Sequence, residues 1–332
     1  DERMQAVAIA TQLDYYYFQG TNEDSVIHYT NKVKEFAKAT HQPKYYYFAW
    51  ANRLVTYYLK TSRTNIALYE VQNMLKEAQK EDDKTGLSRC YNIMSQIYTI
   101  KRFDSMAFEW RLKEIELTEK YNIENYNISQ TYAQIANYYI SQKKQKEALR
   151  AVEKAISTAN SSTQQISAKL EYVNYYSKFG DFQAAEKILK ECQIAFEQDK
   201  RLESIKKRLY NIECLYYQQT RQYQKALEAA EMQEKEEHRL SESILSSSHY
   251  RTQGEIYQKM GNMNMAVKYL QMYINTDDSL KIANEQVASS EFATLLNVEK
   301  LNAEKKELML QAQEKELHNK TTLIISCLLL HI

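Results

Sequence analysis

Apolar positions recur at helical spacing along nearly the whole chain, and short polar clusters interrupt them at regular intervals. The clusters Gly20-Thr21-Asn22, Lys60-Thr61-Ser62, Gly180-Asp181 and Gly261-Asn262 read as turns between helices. Just past such turns stands a small residue, and the series Val26, Ala67, Ala107, Ala148, Ala185, Ala226 and Ala266 advances in steps of 41, 40, 41, 37, 41 and 40 residues. Nine positions before every member is a tyrosine: Tyr17, Tyr58, Tyr98, Tyr139, Tyr176, Tyr217 and Tyr257. The residue preceding each of these is apolar as well, namely Tyr16, Tyr57, Ile97, Tyr138, Tyr175, Tyr216 and Ile256. A fixed period of about 40 residues predicts a stack of helical repeats. In each unit the tyrosine lies on a first helix, A, and the small residue lets an antiparallel second helix, B, approach it. One such pair cannot bury its apolar face alone, so neighbouring pairs must stack.

Composition narrows this picture. The chain has 332 residues with only five Gly and one Pro, but 28 Tyr. Sixteen of the tyrosines fall at three repeat positions: seven at the repeat site, five just before it and four (Tyr91, Tyr132, Tyr210, Tyr250) seven places upstream. The aromatic excess is therefore chiefly packing material. The runs Tyr15-Tyr16-Tyr17-Phe18 and Tyr45-Tyr46-Tyr47-Phe48 read the same way, with at least half of their rings directed into the core. Scarce Gly and Pro imply long helices, minimal turns and no room for a catalytic loop.

The spacing resembles the tetratricopeptide repeat family. Its pattern is met best in the seventh unit by Tyr250, Gly254, Tyr257, Gly261, Ala266, Leu270 and Tyr273. The fourth unit follows with Tyr132, Ile135, Ala136, Tyr139, Ala148, Val152 and Ala155, and the fifth with Tyr172, Val173, Tyr176, Gly180, Ala185, Leu189 and Cys192. The resemblance implies an all-α, right-handed superhelical solenoid of about seven helix pairs over residues 1–280. Here the period is longer than the family's usual repeat, so each helix should gain about one turn. The third unit departs further, with Arg111 and Glu114 where apolar residues are expected and Trp110 and Ile115 one place away, which predicts a local register shift.

Past the repeats the pattern changes. Over residues 281–320, Leu296, Ala303, Leu310 and Leu317 recur every seven residues among alternating Glu and Lys, which predicts a long charged helix suited to self-association as a coiled coil. Residues 321–332 carry a single ionisable group and read as the start of a truncated transmembrane segment.

Chemistry-bearing motifs are scarce. Lys plus Arg (44) nearly cancels Asp plus Glu (43), so direct nucleic-acid binding is not expected. The four cysteines are far apart and the six histidines form no metal-ligating pair, so neither a metal nor a cofactor is expected. The scattered glycines build no phosphate loop. Glu81-Asp82-Asp83 and Asp277-Asp278 read as inter-repeat turns. These blanks point away from an enzyme.

What remains is the inner face. In the tetratricopeptide family, residues of helix A six and two places before the repeat tyrosine line the ligand groove. Carried onto this sequence, six of those fourteen positions hold an amide: Asn52, Asn92, Gln96, Asn137, Asn174 and Asn211. A carboxamide both donates and accepts, so it suits the backbone of an extended peptide. The layout resembles the sensor region of bacterial membrane-anchored regulators. That implies a non-enzymatic, extracytoplasmic binding domain that feeds a signal through the juxtamembrane helix to an output module, a transcription regulator or a histidine kinase. The alternatives are a cytoplasmic receptor for peptide pheromones and a plain protein-interaction scaffold.

Overall fold

A computed structural model describes residues 2–20, 22–240 and 247–329. The first pair is α1 (Glu2–Gln19) with α2 (Glu23–Ala39). In the second, α3 (Pro43–Tyr47), a π-helical stretch (Phe48–Val55) and α4 (Thr56–Lys60) run on without a break to form helix A, and α5 (Thr64–Lys80) is helix B. The third pair is α6 (Lys84–Ile100) with α7 (Asp104–Tyr121), and the fourth is α8 (Ile128–Ser141) with α9 (Gln145–Ser157). Helices α10 (Ser162–Phe179) and α11 (Phe182–Gln198) follow as the fifth pair. A 3-10 turn (Lys200–Ile205) then leads into α12 (Lys206–Gln219), paired with α13 (Tyr223–Leu240). The seventh pair is α14 (Ser248–Lys259) with the first part of α15 (Met263–Leu329). The fold is an all-α solenoid of seven helix pairs ending in a long helix.

The repeat positions do what their chemistry predicts. Val26, Ala67, Ala107, Ala148, Ala185 and Ala226 are fully buried and Ala266 is 3% exposed, so the small residue closes the A–B seam in every unit. Among the described residues the core forms four clusters, and repeat tyrosines join the last three: Tyr176 packs against both the second and the third, Tyr217 against both the third and the fourth. Within the last pair, a Cβ on Gly254 would sit 2.8 Å from Leu270 Cγ, so any side chain there would push α14 off α15. Of the tandem aromatics, Tyr17, Tyr46 and Tyr47 enter the core, whereas Tyr15, Phe18 and Tyr45 are exposed.

Each of the seven A-to-B turns holds one residue in the left-handed region, three or four places past the repeat tyrosine: Gly20, Ser62, Arg102, Lys143, Gly180, Arg221 and Gly261. Only three of these are glycines. The other four adopt the conformation with a side chain, at roughly 1 kcal/mol each, so the turn geometry is imposed by the helices it joins. Asp82, at φ 54°, turns the chain between α5 and α6, and Asp83 then caps α6 by accepting from the Gly86 amide.

Two expectations are corrected. The third pair shows no register shift: Ala107 stays in the seam, and Arg111 and Glu114 are themselves buried, at 7% and 1% exposure, because neighbouring side chains satisfy them. Asp277-Asp278 is not a turn but lies inside α15, whose 67 residues run without interruption from the seventh pair onward. Helix α15 also packs back on α5, with Leu295 against the cluster of the first three pairs. Residues 321–329 continue this helix and residues 330–332 lie outside the described residues. Among the described residues, no helix is long and apolar enough to cross a membrane.

Candidate functional site

The A helices are lined by three adjoining cavities. One of about 520 Å³ lies against the first three units and takes in Asn52, Arg53, Arg89, Asn92, Gln96 and Glu114, together with the loop that links α7 to α8. A second, of about 360 Å³, shares Asn92, Gln96 and Asn127 with the first and reaches Arg111, Gln130 and Gln134 between the third and fourth units. Gln130 in turn lines a third, of about 410 Å³, that extends over α10 to Lys207, Arg208 and Asn211 on α12. Shared walls make one track, from the first unit to the sixth.

Four of the six groove residues predicted from sequence stand on this track: Asn52, Asn92 and Gln96 together at one end, and Asn211 at the other. The remaining two do not line it. Asn174 is 9% exposed and gives its Nδ2 to Asn137 Oδ1 at 3.0 Å and to Glu171 Oε2 at 3.3 Å, so these two residues tie the fourth helix A to the fifth. Glu171 is 1% exposed and also receives the Arg208 guanidinium.

The chemical centre of the track is Glu114. Its carboxylate accepts from Asn92 Nδ2 (3.1 and 3.2 Å), Asn125 Nδ2 (2.8 Å) and Thr131 Oγ1 (3.5 Å). Gln96 Nε2 continues the chain to Asn92 Oδ1 at 2.7 Å. Burial raises the Glu114 carboxyl above the ordinary carboxylate range, while these donors and nearby Arg111 pull the other way. Arg111, whose charge burial disfavours, donates Nε to Gln134 Oε1 at 2.8 Å and Nη2 to Thr99 Oγ1 at 2.7 Å. One turn earlier on α6, Arg89 donates to Asn52 Oδ1 at 2.8 Å, with burial again lowering its affinity for the proton.

Sequence reasoning missed several of these groups for identifiable reasons. Arg53 sits on the π-helical stretch, a wide turn whose hydrogen bonding no periodicity reveals. Glu114 was visible as a charge at an apolar position, and that misfit was itself the signal. Asn125 and Asn127 lie in the loop after α7, outside the repeat frame, whereas Gln130 and Gln134 occupy helix A positions nine and five before Tyr139.

The track offers carboxamides, hydroxyls and guanidinium groups and little that could perform covalent chemistry. Cys90, Cys192 and Cys214 are buried free thiols, with Cys90 pushed up to about 12 and Cys192 to about 11 by burial, which leaves them without nucleophilic character. Among the described residues, no group of His, Cys, Asp and Glu could hold a metal ion.

No protein-family model matches the sequence, and no curated protein matches it. Solved structures do. A tetratricopeptide repeat protein from Parabacteroides merdae matches at TM-score 0.52 and 13% identity, over 86% of this chain and 99% of its own. NprR in complex with its cognate peptide NprX matches at 0.56 and 13%, over 80% and 77%. A Rap protein complexed with Competence and Sporulation Factor matches at 0.56 and 14%, over 81% and 76%. At such identities the likeness is one of fold, and the fold is that of the tetratricopeptide repeat proteins.

Proposed function

We propose that the chain is a non-enzymatic binding module that holds an extended peptide, or an extended segment of a partner protein, along the track on its A helices. The observation that carries this reading is the continuity of the three cavities combined with their amide lining. Ten carboxamide side chains face them, from Asn52 at one end to Gln233 at the other. A polar track of that length matches repeating backbone donors and acceptors better than it matches a compact apolar molecule. That NprR and a Rap protein share this fold and were solved with a peptide or factor bound supports the same reading, and favours a peptide receptor over a plain scaffold.

The reading is tested by selecting peptides from a random library on the intact chain and measuring their affinity by titration calorimetry. Asn52→Ala and Asn211→Ala, both at exposed positions, should each weaken binding by about five- to tenfold, as expected for one net hydrogen bond, with the melting temperature unchanged in Asn211→Ala and slightly lowered in Asn52→Ala, where Arg89 loses its acceptor. A chain that selects no peptide, or variants that bind as tightly as the parent, would sink it.

A signalling role extends this proposal. Leu296, Leu308 and Leu310 are exposed on α15 and support self-association there, and the apolar residues from 321 onward support attachment to a membrane before an output module. Sedimentation of the chain with and without Leu308→Lys and Leu310→Lys tests the first point. Flotation of the full-length protein with vesicles tests the second.

A further inference from the structure

The first turn of α5 receives its cap from far along the chain. Arg63, at the N-cap position, supplies no side-chain acceptor. Instead Glu291 of α15, 226 residues from Asn65, reaches in: its Oε1 accepts from the backbone amides of Asn65 (3.0 Å) and Ile66 (3.2 Å), and its Oε2 accepts from Asn65 Nδ2 at 2.7 Å. Lys101 Nζ holds the other face of the Asn65 amide, at 2.8 Å from Oδ1. The carboxylate is only 3% exposed. A buried charge is tolerated when hydrogen bonds and a favourable field replace water, and the second and third amides of a helix provide both. Leu295, one turn beyond Glu291, packs against the core of the first three pairs. Four turns before Glu291, on the same face of α15, Asp277 lies 3.6 Å from Arg102, the left-handed residue of the third unit's turn. The opposite face presents Ile282, Phe292 and Leu296 to solvent.

We propose that the N-terminal turn of α5, with Asn65 and Lys101, is a docking site for an acidic side chain of the chain's own C-terminal helix. Glu291 is the latch that seats α15 on the second pair. With the latch closed, the last unit is tied to the second and third units, and α15 leaves the solenoid at a fixed angle. With it open, the stretch from about Ala283 onward is released from the solenoid and its inner face becomes available to another surface. This device is independent of what occupies the track.

Hydrogen exchange of the intact chain, read by mass spectrometry, tests it. In Glu291→Ala, exchange at Asn65 and Ile66 and across residues 285–300 should rise about tenfold or more, with the fourth to sixth pairs unchanged. Asn65→Asp, which places a carboxylate against Glu291 while suiting a helix N-terminus, should release the same segment and keeps the test valid if the alanine variant fails to fold. Glu291→Gln, which keeps an acceptor but no charge, should fall between the parent and Glu291→Ala. Unchanged exchange in both Glu291→Ala and Asn65→Asp would overturn the proposal. Parent protection at 65–66 that disappears on dilution would overturn it too, because a second copy would then be supplying the carboxylate.

Discussion

The third and fourth helix pairs share one geometry and fill it with opposite chemistry. Ala107 and Ala148 occupy the same seam position and are equally buried. Four residues on, the third pair has Arg111 where the fourth has Val152, and three further on it has Glu114 where the fourth has Ala155. All four are buried. The fourth pair is a conventional apolar seam. The third accepts a buried carboxylate because Asn92 on its own helix A, Asn125 in the following loop and Thr131 on α8 all donate to it. The small-residue position alone is enough to dock two helices, and the positions beyond it can be given over to polar function where donors surround them.

This contrast can be broken from either side. Val152→Asp places a charge in the apolar pair without donors and should destabilise the chain by about 3–5 kcal/mol in denaturant unfolding. Glu114→Ala removes the acceptor from three side chains in the polar pair and should cost about 2–3 kcal/mol. It should also weaken any ligand of the cavity against the first three units, which a titration would register. If Val152→Asp were tolerated as well as the native Glu114 is, the role given to the surrounding donors would be wrong.

A finer test uses pH. The folded chain holds the Glu114 proton more tightly than the unfolded chain does, since burial raises its carboxyl. The sign follows: this group is least unfavourable below the ordinary glutamate value, and stability falls as pH rises through the raised one. Glu114→Gln should flatten that part of the profile, read as unfolding midpoints from the ordinary glutamate value of about 4.3 upward. The smallest effect concerns the turns. Lys143→Gly and Arg221→Gly should each stabilise by about 0.5–1 kcal/mol, because glycine enters the left-handed region without the steric penalty, whereas Gly180→Ala should lose a similar amount.

The solenoid was legible because its determinants repeat. A tyrosine and a small residue nine places apart, met seven times, encode an interhelical distance, and a distance repeated at a fixed period is a fold. The candidate site was half legible. Asn52, Asn92, Gln96 and Asn211 stand on the track because they follow the repeat frame. Asn137 and Asn174 follow it too but bond to each other across a unit boundary, a pairing that depends on the rotation between adjacent pairs and that no single repeat contains. Arg111 and Glu114 were seen and misread: charge at an apolar position suggests slippage unless the donors around it are known, and those come from three separate segments. The contact of Glu291 with α5 joins residues more than two hundred apart and leaves no periodic trace.

One consequence of the unbroken α15 is mechanical. From Leu295, which packs against the core of the first pairs, the helix continues 34 residues to Leu329, a rod of about 50 Å at the usual rise per residue. Such a rod amplifies: a tilt of about ten degrees at its pivot carries the far end about 9 Å sideways. Adjustments too small to disturb the packing of any helix pair would thus arrive at the distal end as displacements close to the spacing of packed helices, about 8–10 Å.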